Sequence, residues 1–133
     1  MVTSARTQKP VRVLVVDDQQ LFADALALYL RQEDTIEVVG TAASGPEAID
    51  LALANVADVV LMDLFMPLMN GLEATKRLRT IRPETHVIVL SGLGDDDIAD
   101  QARDAGADAY LQKGRVHENI VAAIHAAHGA NLL

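Results

Sequence analysis

VRVLVVDD (11–18) decides how this chain is read: five apolar positions, broken once by Arg12, stop abruptly at two carboxylates, Asp17 and Asp18. A short run of this kind matches a buried parallel strand, whose two covered faces remove the in–out alternation of a half-exposed one. The same construction recurs at ADVVLMD (57–63), which ends on Asp63, and at ADAYLQ (107–112), which is followed by Lys113. Three carboxylates at the ends of strands in one sheet repel one another unless a cation joins them. The pattern implies a divalent-metal site with a lysine beside it to receive an anion.

Outward from these runs, strand-like and helix-like segments alternate. TIEVVGTA (35–42) and THVIVLSG (85–92) complete five expected strands. Helical spacing covers LFADALALYLR (21–31), where Leu21, Ala25 and Leu28 with Leu26 and Tyr29 are expected to form the inner rows. Ser44 has the character of an N-cap, with Pro46 and Glu47 in the first turn of a helix reaching about Asn55. LEATKRLRTIR (72–82) is stopped by Pro83. Asp95, Asp96 and Asp97 open a fourth helix, where carboxylates suit the positive end of the dipole, and Gly106 closes it. A fifth helix covers about 116–128, with Ile120, Ala123, Ile124 and Ala127 on its core side. Short connections between βα units predict an α/β fold: a five-stranded, doubly wound parallel sheet with five helices and right-handed crossovers.

Composition narrows the function. Half of the 133 residues are hydrophobic but only 3% are aromatic, which suits a core of Ala, Val, Leu and Ile between sheet and helices. A formal net charge of −8 argues against nucleic-acid binding by this domain's own surface. With no cysteine, disulfides and thiolate metal sites are excluded. No apolar run is long enough to span a membrane, and residues 1–10 lack the apolar segment of a secretory signal.

In a doubly wound sheet, ligands bind beyond the carboxyl ends of the strands. Asp17, Asp18, Asp63, Ser91 and Lys113 all fall there. Each has a plainer explanation alone: Asp18 as a helix cap, Asp63 and Ser91 as turn residues, Lys113 as a solvated charge. Their joint arrival at one edge favours a single site. His117, Val121, His125 and His128 form a stripe on the last helix, but a metal site there lacks a third ligand. His86, at a strand end, carries no further signal.

The motifs VVDD (15–18), LMDLFMPLMNGLEA (61–74), VLSG (89–92) and GADAYLQKG (106–114) closely resemble the receiver domain of two-component response regulators. The wording around 70–74 and the glycine after the lysine look most like receivers of LuxR-type (NarL/FixJ) transcription regulators. The resemblance spans about 11–128 and implies a CheY-like, flavodoxin-like (βα)5 fold. On that reading residues 1–10 are a polar tail, 11–128 the receiver, and 129–133 the start of a linker to an output domain outside this chain.

The resemblance also implies roles. Asp63 would be phosphorylated by a sensor histidine kinase. Mg2+ would be held by Asp17, Asp18, Asp63 and the backbone carbonyl of Phe65. Ser91 and Lys113 would contact the phosphoryl group, and Ser91 and Tyr110 would form a switch altering the face around the fourth helix, fifth strand and fifth helix. It implies a cytoplasmic signalling domain, not an enzyme beyond its own phosphorylation and dephosphorylation. It allows a homodimer on phosphorylation and contact with DNA only through the output domain, with no membrane role. Ser91 stands where threonine is common and Gly114 where proline is frequent. Phe65 and Leu93 place apolar groups beside the expected path of attacking water, which is expected to slow phosphate loss.

Other functions are weighed against this one. A haloacid-dehalogenase-type phosphatase would need a second aspartate two residues after Asp63, where Phe65 stands. A flavodoxin-like electron carrier would need a phosphate cradle after the first strand, where the chain has DDQQ (17–20). An unphosphorylated pseudo-receiver acting as an interaction module stays open.

Overall fold

The computed structural model describes residues 9–92 and 96–129. Its elements alternate as the sequence predicts: β1 (Val11–Val16), α1 (Gln20–Leu30), β2 (Ile36–Ala42), α2 (Gly45–Ala54), β3 (Val59–Asp63), α3 (Gly71–Ile81), β4 (His86–Ser91), α4 (Asp96–Asp104), β5 (Ala109–Gln112) and α5 (Val116–Gly129), with a 3-10 turn at Lys113–Arg115. The strands form one sheet in the order β2-β1-β3-β4-β5, and every neighbouring pair is parallel. The strand order reverses beside β1 and β3, so the ends of those two strands lie at the crevice where ligands bind. Leu93 and Asp95 lie outside the described residues.

Both faces of the sheet are covered. One core joins Val13, Val15, Leu61, Ile88 and Leu90 to Leu26 and Leu30 of α1 and Ile120 and Ile124 of α5. The other joins Leu14, Val16, Val60, Met62 and Val89 to Ala48 and Ala52 of α2, Ala74 and Leu78 of α3, and Ala102 of α4. Small alanines on α2, α3 and α4 let those helices lie close to the sheet, which is how a core with almost no aromatic content fills its volume.

The inner face of α1 differs from expectation. Leu21 is 87% exposed and Leu28 63% exposed, Ala25 is exposed, and Tyr29 keeps 41% of its surface in solvent. Of the expected inner residues Leu26 alone is buried, and the helix buries Ala23, Ala27 and Leu30 beside it. Nearly every position from 21 to 30 is apolar, so helical periodicity alone cannot choose the face. Tertiary fit chooses it, because two alanines admit the close approach that leucines at 21 and 28 would block. Tyr29 instead donates from its hydroxyl to the His117 carbonyl (2.9 Å) and packs edge-on against the His117 ring, tying α1 to α5. His125, part of the histidine stripe, lies 2.8 Å from the Thr35 hydroxyl.

His86 is more informative than its sequence position suggests. It is buried at the start of the interior strand β4, with Nδ1 3.2 Å from Asp108 Oδ1. Asp108 also accepts from the Val87 amide (2.9 Å) and lies 3.6 Å from Arg79, which donates to the Thr85 carbonyl (2.5 Å). This polar clasp fixes α3, β4 and the approach to β5 at the end of the sheet opposite the acidic residues.

Several helix ends follow local chemistry, and the end of α2 departs from it. Glu47 donates from its amide to Ser44 Oγ (3.3 Å) while its carboxylate accepts from the Ala43 amide (2.7 Å), a reciprocal cap. After α4, Gly106 takes φ +104°, and the Ala107 amide returns to the Ala102 carbonyl (3.0 Å). The same turn follows α2, where the Ala57 amide reaches the Ala52 carbonyl (3.1 Å), but the left-handed residue is Val56, at φ +51°. A β-branched side chain is strained there, by roughly 1–2 kcal/mol. Val56 is 47% exposed, so it has little packing to lose. Val56→Gly should therefore stabilise the fold by about 0.5–1 kcal/mol after the larger unfolded-state entropy of glycine is deducted. Thermal melts check this: a rise of roughly 2–4 °C is expected, and an unchanged or lower midpoint would mean that Val56 is not strained.

Candidate functional site

Asp17 and Asp63 are buried because the strands that carry them are covered on both faces up to their last residue. Asp18, one residue further on, is exposed. Helix α1 starts after Gln19, which occupies the N-cap position without a side-chain hydrogen bond. Asp18 therefore does not hold the capping position that would have explained it. Asp17 is fixed from two sides: its amide donates to the Ala42 carbonyl (2.9 Å), and its Oδ1 accepts from the Gln19 amide (2.8 Å).

Oxygen atoms of Asp17, Asp18 and Asp63 all lie within 4.8 Å of one another. Lys113, delivered by the end of β5, places its ammonium between two of them, 2.6 Å from Asp17 Oδ2 and 3.1 Å from Asp63 Oδ1. Three carboxylates facing one ammonium leave two negative charges uncompensated when all are ionised. The donors are hard oxygens, one exposed and two buried. This cluster can bind a metal ion, and a divalent one matches its charge. Among the described residues no other trio of metal-capable side chains converges in this way.

The electrostatics carry the same strain. Burial, and after it the charges of Asp17 and Asp18, push the Asp63 carboxyl up to about 6 although hydrogen bonding to Lys113 pulls the other way. Burial opposes the charge on Lys113, but its hydrogen bonds to Asp17 and Asp63 prevail and hold it above the ordinary lysine value.

Asp63 is also held through its backbone. β3 continues into the loop through the Leu64 amide, which donates to the Leu90 carbonyl (3.0 Å), and the Gly71 amide returns to the Leu64 carbonyl (2.8 Å). A side chain on Gly71 would collide with the Asp63 carbonyl oxygen, so only glycine lets the start of α3 lie against the site. Asn70 caps that helix by accepting from the Glu73 amide (2.9 Å). The loop between them carries Leu68 at φ +73° and 88% exposed, and Phe65 at 58% exposed.

Ser91 is fully buried at the end of β4, next to the β3 terminus that carries Asp63. Val89 and Tyr110 both pack toward the core beneath α2, α3 and α4 and are register partners. Strand alternation puts Ser91 on that same face, diagonal to half-buried Tyr110. Sequence reasoning placed Asp17, Asp18, Asp63 and Lys113 at one sheet edge, and the structure has these four together. It missed Gln19, whose Oε1 lies 3.4 Å from the Lys113 ammonium, and Phe22, whose ring centre is 4.7 Å from it. Their positions one and four residues after Asp18 were the only available signal.

The response regulator receiver domain profile matches residues 13–125. The transcriptional regulatory protein LiaR of Bacillus subtilis is 40% identical over 117 residues, covering 88% of this chain and 56% of LiaR. The chain thus spans little more than half the length of the curated relatives it matches. Among solved structures, the signal receiver domain of the putative response regulator NarL from Mycobacterium tuberculosis superposes with a TM-score of 0.84 at 33% identity, over 90% of this chain and 96% of that one. A response regulator from Burkholderia pseudomallei, solved with a phosphorylated aspartic acid, calcium ion and citrate, gives a TM-score of 0.77 at 33% identity over 88% of this chain and 66% of that one. This chain belongs to the receiver-domain family of two-component response regulators.

The raised Asp63 carboxyl has a measurable consequence. Its folded value of about 6 exceeds its ordinary value of 3.8, so its ionisation costs stability. That cost is absent below the lower value, grows between the two and is complete above the higher. In metal-free buffer, Asp63→Asn should melt above the native chain at pH 7.5, with the gain shrinking toward zero as pH falls toward about 4. A gain independent of pH would assign the effect to packing instead.

Proposed function

We propose that this receiver accepts a phosphoryl group on Asp63 from the phosphohistidine of a sensor histidine kinase, with Mg2+ held by Asp17, Asp18, Asp63 and the Phe65 carbonyl. The observation that carries the reading is the Lys113 ammonium shared between Asp17 and Asp63 in a pocket with two uncompensated charges. An acyl phosphate needs an anionic nucleophile in a place that also tolerates an anionic phosphoryl group, and this pocket supplies one cation, Lys113, and carboxylates that would hold a second. The phosphorylated aspartic acid and calcium ion named for the Burkholderia protein support the same chemistry.

In the transfer, an Asp63 carboxylate oxygen attacks phosphorus. The P–N bond to the donor imidazole breaks, its electron pair stays on nitrogen, and a mixed carboxylic–phosphoric anhydride forms on Asp63. Bound Mg2+ would neutralise the approaching charges and align the groups in line. Lys113, already at the pocket, pairs with one phosphoryl oxygen, and the Ser91 hydroxyl donates to another. As Ser91 engages the phosphoryl group, Tyr110 on the same face turns inward, and the surface made by α4, β5 and α5 changes shape. Phe65 at the loop surface limits the approach of water to the anhydride.

The domain is thus a signalling element rather than an enzyme acting on other substrates, and membership of the response-regulator family supports a cytoplasmic location. On this reading the receiver comprises residues 11–128, consistent with the span 13–125 that matches the family. The likeness to transcriptional regulators supports an output of the LuxR type, through which DNA would be reached; phosphorylation would also allow a homodimer.

Incubation with acetyl phosphate and Mg2+ followed by intact mass measurement tests this. The native chain should gain one phosphoryl group, no gain should occur with EDTA, and Asp63→Asn should gain none. A folded native chain that gains nothing from acetyl phosphate or from a phosphohistidine donor would mean that it is a pseudo-receiver.

A further inference from the structure

Lys113 reaches the pocket on a flexible four-carbon stem, and its ammonium must stay there when its present partners are claimed. Those partners are Asp17 Oδ2 at 2.6 Å, Asp63 Oδ1 at 3.1 Å and Gln19 Oε1 at 3.4 Å. A divalent cation on Asp17 and Asp63 competes with the ammonium for both carboxylates. What it leaves to the ammonium is the long contact with Gln19 Oε1 and the face of Phe22, whose ring centre lies 4.7 Å from the same nitrogen.

We propose that Phe22 is a positioning residue for phosphoryl transfer, its ring face holding the Lys113 ammonium at the pocket mouth while a metal ion occupies the carboxylates. This rests on the phosphoacceptor reading above and adds a residue to it. An aromatic face attracts a cation through its quadrupole and carries no charge, so it neither binds the metal nor repels the incoming phosphoryl group. A carboxylate in its place would do both. The ring is itself fixed: Phe22 is half-buried in the first turns of α1 and packs against the core shared by α1, α5 and the sheet. Gln19 and Phe22 are three residues apart, so both face the lysine from one side of the helix start. Phe22 touches no reacting atom in this account, and its effect passes through Lys113.

The test compares rates of phosphorylation by acetyl phosphate with saturating Mg2+ in native chain, Phe22→Leu, Phe22→Tyr, Lys113→Met and the Phe22→Leu, Lys113→Met double variant. Phe22→Leu should be slower by about tenfold, Phe22→Tyr should stay near the native rate, and Phe22→Leu should cost nothing more once Lys113 is methionine. Equal losses in the leucine and tyrosine variants, no loss in either, or the same loss with methionine at 113 would each overturn the proposal. A native chain that takes up no phosphoryl group would overturn the phosphoacceptor reading and this proposal with it. A native chain that is phosphorylated while Phe22→Leu keeps pace overturns the proposal alone.

A second readout is independent of activity. The chain's lysines are Lys9, Lys76 and Lys113, so the Lys113 ε-methylene signal is readily assigned by NMR. It should be shifted upfield by the ring both before and after saturation with Mg2+. Return to the free-lysine position on Mg2+ addition would show that the ring does not hold it.

Discussion

The contact on which this structure turns is the shared ammonium of Lys113 between Asp17 and Asp63. Without it, two buried carboxylates would face each other with nothing between them, a cost that would protonate one or open the strand ends. With it, the pocket is held together yet still short of positive charge. That residual deficit is what a receiver needs, because a site already neutral would have no reason to take up a metal ion. Burial first, and the charges of Asp17 and Asp18 after it, hold the Asp63 carboxyl above its ordinary value in spite of Lys113.

The rest of the fold can be understood as bringing these groups to one place and keeping them rigid. Parallel strands covered on both faces end together, and the 2-1-3-4-5 order sets β1 beside β3 at the crevice. Gly71 lets α3 start against the Asp63 carbonyl, and the Leu64 and Gly71 amides fix the loop that follows. At the far end of the sheet, His86, Asp108 and Arg79 hold α3, β4 and the approach to β5. The site end is comparatively open: exposed Asp18, Phe65 and Leu68 surround the buried pair.

Much of this was legible in the sequence because buried parallel strands write themselves as continuous apolar runs, and runs that stop at Asp17, Asp63 and before Lys113 mark their own polar ends. Caps with their own chemistry, Ser44 and Gly106, were equally readable. The inner face of α1 was not, because an apolar residue stands at almost every position and only packing against the sheet selects Ala23, Leu26, Ala27 and Leu30. Val56 was hidden for the opposite reason: its turn is normally written with glycine, and the residue gives no hint of its left-handed backbone. Phe22 and Gln19 carry no signal of their own, since their meaning depends on a lysine that arrives from the other end of the chain.

The central claim, that this pocket is a divalent-cation site made by charge deficit, is tested most directly by calorimetric titration of the folded chain with Mg2+ at pH 7.5, alongside Asp17→Asn. The account predicts a single saturable site in the native chain and a large loss of affinity in the variant. Absence of binding to the native chain, or binding of equal strength after Asp17→Asn, would contradict it.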